Sequence, residues 1–277
     1  MSTAAGASYI PFLVRRGVPL INPIGGHQKL KAPKDRNVFG LLPLGERNGE
    51  SLAQYALDVL KAKRVAIFNQ NDKFGTDIRD GAFDELKKRG MKPAAETTYV
   101  PSDVDVSAQV ASMRKANADA VICACITKHG ALLIKEAQKL NWKPHFVALN
   151  TMGDPIAADL TGPALDGTII NLFVAVDTMK HPKVQEATRI LAKYYPKTKP
   201  GYWTYMGMAG AIVFVEGLKR AGKDVSRQSF IEALESLGNF EPGVVPPVKW
   251  DRKNHGSANV IGFANWQGGK LQVLKGW

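Results

Sequence analysis

Arg64-Val-Ala-Ile-Phe-Asn-Gln-Asn-Asp-Lys-Phe-Gly75 is the stretch on which the reading of the chain turns. Its first five residues are mostly apolar and partly β-branched. That is the composition of a strand buried on both faces, as a parallel sheet requires. Asn69-Gln-Asn-Asp72 then breaks the strand with polar turn formers. Thr76 to Arg89 has the spacing of an amphipathic helix, and Gly90 ends it. Open α/β sheets place their ligands where a strand passes through such a loop into a helix. Phe74 falls in that loop, and an aromatic there has no packing role unless something covers it.

The same alternation continues outward from this stretch. Pro93–Val100, Ala120–Cys125, His145–Leu149 and Thr168–Val174 read as strands. Val106–Lys115, Gly130–Leu140 and Pro155–Leu160 between them read as helices. Right-handed crossovers make these consecutive β/α units into one parallel sheet with helices on both faces. Ahead of them lie a helix over Ala7–Arg16, short strands at Val18–Ile21 and Asn37–Leu42, and a helix over Gly49–Lys61. After Asp177 the pattern changes. His181–Tyr195, Tyr202–Ala221 and Ser226–Leu237 are three helices with no strand between them, so they cannot extend that sheet. Short strands return at Pro246–Trp250, Ala258–Trp266 and Leu271–Leu274. The fold class is α/β, with the chain leaving the middle lobe and coming back to it.

The chain has 277 residues, 45% hydrophobic and 22% charged, with net charge +12. This suffices for two lobes of about 100–150 residues each. The basic residues are spread along helix faces rather than gathered in a block, which argues against nucleic-acid binding. The five histidines show no ligand spacing, so no metal site is expected. Cys123 and Cys125 point to one face of a strand and read as buried core thiols; a metal or redox site would need further ligands. No run of about 18 apolar residues is present to span a membrane, and no signal peptide precedes the fold.

The residues resemble a known family: solute-binding proteins of ABC transporters, of the leucine/isoleucine/valine-binding type, with the type I periplasmic binding fold. The resemblance covers essentially the whole chain. Its carriers are Gly17-Val-Pro-Leu-Ile-Asn-Pro23, Asn37-Val-Phe-Gly-Leu-Leu-Pro43, the helix from Gly49, Arg64–Gly75, Asp103–Asp119, Gly207–Gly222 and Pro247-Val-Lys-Trp-Asp251. It implies two lobes joined by three crossovers, each lobe a parallel-sheet αβα sandwich, with ligand held between them. Residues 1–62 and 177–240 would form the first lobe, and 63–176 and 241–277 the second. Crossovers would lie near Lys61–Arg64, Ala175–Asp177 and Phe240–Val244. The family's first lobe begins with two βα units and a further strand ahead of the position matching Met1. By the size of such units roughly 70 residues would precede this chain. The resemblance therefore implies an incomplete first lobe, and a periplasmic protein whose signal peptide lies upstream.

The resemblance also implies a ligand site. A carboxylate needs donors, which helix N-termini and close backbone supply. By position the carboxylate clamp becomes Thr3 and Ala4, with Ile24, Gly25 and Gly26. In the second lobe Phe74 matches the family's aromatic, and Ile126 with adjacent Thr127 matches the residue after the Ala120–Cys125 strand. The family's amino-acid binders place an acidic residue after the next strand to neutralise the ligand ammonium. Here that place is Asn150, which supplies no charge, while Asp154 lies one turn on. Burying an ammonium without a counter-charge costs several kcal/mol. The expected ligand is thus a small carboxylate lacking an α-amino group, with Phe74 favouring an aromatic acid; the alternatives are an amino acid or amide, or a ligand with an amide or hydroxyl facing Asn150 and Thr127. The expected partner is the membrane permease of an ABC importer.

No nucleophile elbow, Walker A loop or dinucleotide fingerprint occurs, so no catalytic residues and no cofactor are expected. The alternative reading is a ligand-sensing domain of a receptor or transcription regulator with the same fold. It would need an attached DNA-binding or signalling segment.

Overall fold

The computed structural model describes residues 3–23, 36–256 and 260–277. They divide into two compact units, one of residues 1–44 with 173–260 and one of 45–172 with 261–277.

The second unit is built on a seven-stranded sheet. Its strands are β3 (Val65–Gln70), β4 (Ala95–Tyr99), β5 (Ala120–Ala124), β6 (His145–Ala148), β7 (Ile169–Leu172), β8 (Gly262–Gln267) and β9 (Lys270–Lys275). Their order is β4-β3-β5-β6-β7-β8-β9. The first five run parallel, and β8 and β9 are added antiparallel. Every residue of β3, β5 and β7 is buried, which is why these strands lack polar alternation. The covering helices include α2 (Gly45–Gln54), α3 (Lys73–Lys88), α4 (Ser107–Lys115), α5 (Thr127–Lys139) and α6 (Pro155–Thr161).

Helix α2 departs from the sequence expectation that residues 1–62 share a lobe. It packs on α3 through glycine: a Cβ on Gly49 would collide with the Ile78 carbonyl and the Ala82 amide, and one on Gly81 with the Glu46 carbonyl. Backbone-to-backbone approach at this depth ties residues 45–62 to the second unit, so the first crossover falls after Leu44 rather than at Lys61–Arg64. The second falls after Leu172, and the third after Val260 rather than at Phe240–Val244.

The first unit holds α1 (Thr3–Arg15), α7 (Pro182–Tyr194), α8 (Tyr202–Ala221) and α9 (Arg227–Glu235). Among the described residues its sheet is two parallel strands of two residues each, β1 (Leu20–Ile21) and β2 (Val38–Phe39). Side chains do much of the joining. Asn37 Nδ2 donates to the Val18 carbonyl at 2.7 Å. Asn22 Nδ2 donates to the Met206 carbonyl at 3.1 Å. Phe39 stacks on His255 at 4.1 Å between ring centres and lies 5.0 Å from the Trp250 ring.

These contacts keep residues 241–256 with the first unit, against the expectation that they belong to the second. Pro246–Trp250 is not a strand. It contributes one antiparallel bridge, Val248 to Phe240. The three helices after residue 177 fall in the first unit. Cys123 and Cys125 are both buried, but their sulfurs are joined as a disulfide rather than standing as thiols.

Candidate functional site

Four of the residues singled out in the sequence, Phe74, Ile126, Thr127 and Asn150, follow the carboxyl ends of β3, β5 and β6. Phe74 does not lie in a loop. Asp72 caps α3 by accepting the Gly75 N–H at 3.1 Å, so the helix starts at Lys73 and Phe74 sits in its first turn. There the ring is half-buried and packs against the core cluster of Ile67, Ile78 and Ile122. It has the packing partners that the sequence reading denied it. The turn is tight because position 75 is glycine; a Cβ there would overlap the Gln70 backbone.

Ile126 is the N-cap of α5, extended and half-buried. Its N–H donates to the Tyr99 hydroxyl at 3.2 Å. Thr127 is buried, and its hydroxyl donates to the Thr151 carbonyl at 2.9 Å. Thr151 in turn donates to the Cys125 carbonyl at 3.2 Å. The two threonines thereby lock the turn after β5 to the turn after β6.

Asn150 follows β6 in a short 3-10 turn (Asn150–Gly153) and is fully buried. Its N–H donates to Asn171 Oδ1 at 2.9 Å, and Asn171 Nδ2 donates to Asn48 Oδ1 at 2.8 Å. Asn150 is therefore a member of a buried amide network. Asp154 accepts the Ile156 N–H at 3.2 Å as the cap of α6.

Three residues that the sequence reading did not single out connect these turns. The Tyr99 hydroxyl donates to Gln70 Oε1 at 3.2 Å, and Gln70 Nε2 donates to Asp72 Oδ2 at 2.7 Å. Burial pushes the Tyr99 phenol far above its ordinary range, so it remains a donor. Its ring is stacked on Phe68 at 4.9 Å and on His129 at 4.0 Å. Burial holds His129 below the ordinary histidine range, against a hydrogen bond to the Asp103 carbonyl. The only sequence signal for Tyr99 was an aromatic ending a strand, which most strands can supply.

Of the predicted carboxylate clamp, Thr3 and Ala4 fall in the first unit. Thr3 opens α1 and Ala4 follows it. Ile24, Gly25 and Gly26 lie outside the described residues. Among the described residues no group of three metal-ligating side chains occurs, and no helix is long and apolar enough to cross a membrane.

Residues 1–270 match the family model described as periplasmic binding protein. Among curated relatives, Leu/Ile/Val-binding protein homolog 3 of Brucella melitensis is 22% identical over 276 residues, covering 99% of this chain and 73% of that protein. A branched chain amino acid ABC transporter structure from Thermus thermophilus with bound valine aligns with a TM-score of 0.88 at 19% identity, over 99% of this chain and 75% of that one. A fatty acid ABC transporter substrate-binding protein from Thermomonospora curvata also reaches 0.88, at 18% identity, over 98% and 71%. At these identities the structural likenesses speak for the fold. The chain spans about three quarters of each of these three proteins.

Proposed function

The chain belongs to the periplasmic binding protein family, in its leucine/isoleucine/valine-binding branch, and we propose that it is the extracytoplasmic solute-binding component of an ABC importer for a small carboxylate without an α-ammonium. Members of this family bind solutes and are not enzymes. The fold is that of type I periplasmic binding proteins.

The observation that carries the ligand class is Asn150. The resemblance puts the ammonium counter-charge at this position, and the chain has an uncharged amide there. The residue is fully buried, and its backbone N–H joins it to the side chains of Asn171 and, through that, Asn48. A buried ammonium beside it would lose its hydration without gaining a charged partner. Asp154, the nearest acidic residue in sequence, is engaged as a helix cap. An acid with an apolar or aromatic body avoids that cost, and the half-buried side chains of Phe74 and Ile126 suit such a body. The neighbour from Thermomonospora curvata, described as binding fatty acid, supports the idea that this fold accommodates an acid with no amino group.

Calorimetry on the full-length protein tests the reading with paired ligands, 3-phenylpropionate against phenylalanine. A charge-assisted bond is worth about 1.5–3 kcal/mol, so the simple acid should bind roughly 10–100-fold more tightly. Asn150→Asp should narrow or invert that ratio. Tighter binding of phenylalanine by the unaltered protein would overturn the ligand class.

A further inference from the structure

The turn carrying Phe74 and the turn carrying Ile126 belong to different β/α units. The strands that lead into them, β3 and β5, pair in register up to Asn69 and Ala124. Beyond that last pair, a chain of hydrogen bonds through side chains ties the two turns to each other. The Ile126 N–H donates to the Tyr99 hydroxyl, and the hydroxyl donates to Gln70 Oε1. Gln70 Nε2 donates to Asp72 Oδ2, and Asp72 Oδ1 accepts from the Gly75 N–H, the residue after Phe74. Donor and acceptor roles are compatible at every link: three bonds run from Ile126 towards Asp72, and the carboxylate accepts the fourth from the Gly75 side.

Tyr99 is the branch point. It is 2% exposed, and its ring is stacked on both Phe68 and His129. It also sits on the neighbouring strand, where its carbonyl accepts the Asn71 N–H at 2.7 Å. The β3–α3 turn is thus gripped by Tyr99 twice, directly at Asn71 and through Gln70 at Asp72. We propose that Tyr99 is a positioning residue that sets ligand specificity by holding the Phe74 turn and the Ile126 turn at a fixed spacing. This rests on the reading above that Phe74 and Ile126 contact the ligand.

The experiment separates the relay from that reading. Hydrogen exchange on the ligand-free full-length protein compares the wild type with Tyr99→Phe, which keeps the ring and removes the hydroxyl. Exchange over residues 71–76 and 125–129 should speed up about tenfold, the equivalent of one hydrogen bond. Gln70→Met keeps the side-chain length and cuts only the α3 branch, so it should affect 71–76 and spare 125–129.

Binding of 3-phenylpropionate should weaken about tenfold in Tyr99→Phe. The loss should disappear when Tyr99→Phe is made in a Phe74→Ala, Ile126→Ala background, because a positioning residue has nothing left to position. An undiminished loss in that background would show a general structural role and overturn the proposal. So would unchanged exchange in both single variants. If the wild type does not bind 3-phenylpropionate, the ligand reading fails, and the exchange pattern alone decides whether the relay exists.

Discussion

In the second unit, β3, β5 and β7 are buried along their whole length, and the sheet they share has seven strands. In the first unit the described residues form a sheet of two strands of two residues, and polar or charged side chains make several of the long-range ties. Arg36 binds Glu235 with both nitrogens of its fork, Nε at 3.0 Å and Nη2 at 2.6 Å. Glu235 is nearly buried and also faces His255 Nε2 at 3.4 Å and Arg252 Nε at 3.8 Å. One unit is held by apolar layers that tolerate exchange of similar side chains. The other depends on a few specific groups, each of which leaves a partner stranded when removed.

The largest expected effect breaks the layered unit at its closest approach. Gly49→Val would drive a branched side chain into the Ile78 carbonyl and the Ala82 amide. Backbone in the middle of α3 cannot move aside without shearing the helix from β3. The cost should exceed about 4 kcal/mol, at the far end of single-substitution effects. Urea unfolding followed by hydrogen exchange should show residues 45–90 losing protection first. A loss under about 1 kcal/mol would mean that α2 does not pack as described.

A smaller effect is expected from the first unit. Arg36→Ala removes the bidentate partner of a carboxylate whose side chain is only 4% exposed. Breaking a fully buried pair costs about 3–5 kcal/mol, but the Arg36 side chain is 45% exposed and water screens it. A loss well below that of Gly49→Val is therefore expected, read as weaker exchange protection of α9 and β2 with the second unit unchanged. Arg36→Lys should recover less than half, because a point charge cannot reproduce the fork. Equal loss in both units would undo the contrast drawn here.

The contrast also accounts for what the sequence made legible. β3, β5 and their following helices could be read because burial on both faces leaves an uninterrupted apolar run, and amphipathic helices leave a period. The assignment of residues 45–62 could not be read, because the deciding contact is the absence of side chains at Gly49 and Gly81, which looks like helix-weakening glycine. Residues 241–256 were misplaced for a related reason. Their apolar residues predicted a strand, while His255, Trp250 and Phe39 meet only in the folded chain. At the candidate site Thr127 and Asn150 were legible by position, yet the groups that hold them in place, the Thr151 carbonyl and the Asn171 side-chain oxygen, carry no local signal.

The smallest effect sharpens the comparison through pH, because among the described residues each unit has one buried histidine. His255 is held below its ordinary value of 6.5 chiefly by burial, against the opposing pull of Glu235 and the hydrogen bond to the Val38 carbonyl. Arg36 is a further charge facing it and pushes in the same direction as burial. A histidine whose folded pKa lies below the unfolded one stays neutral in the fold while the unfolded chain takes up a proton. Stability is therefore complete above about pH 6.5 and falls as the pH drops towards the folded pKa, by at most about 1.4 kcal/mol per pH unit. Burial pushes Glu235 upward, but the Arg36 hydrogen bond and charge, with His255 and Arg252, outweigh it and hold the carboxyl below 4.5. Its contribution is present above that pH and disappears only as the pH falls through the lower folded value. His129 in the second unit is likewise lowered by burial, but its ring nitrogen bonds to a backbone carbonyl. His255→Gln should accordingly flatten the exchange protection of α9 and β2 between pH 6.5 and 5, while α5 keeps its slope. His129→Gln should do the reverse. If His255→Gln leaves the pH dependence of α9 and β2 as steep as in the wild type, the first unit does not owe its acid sensitivity to this cluster.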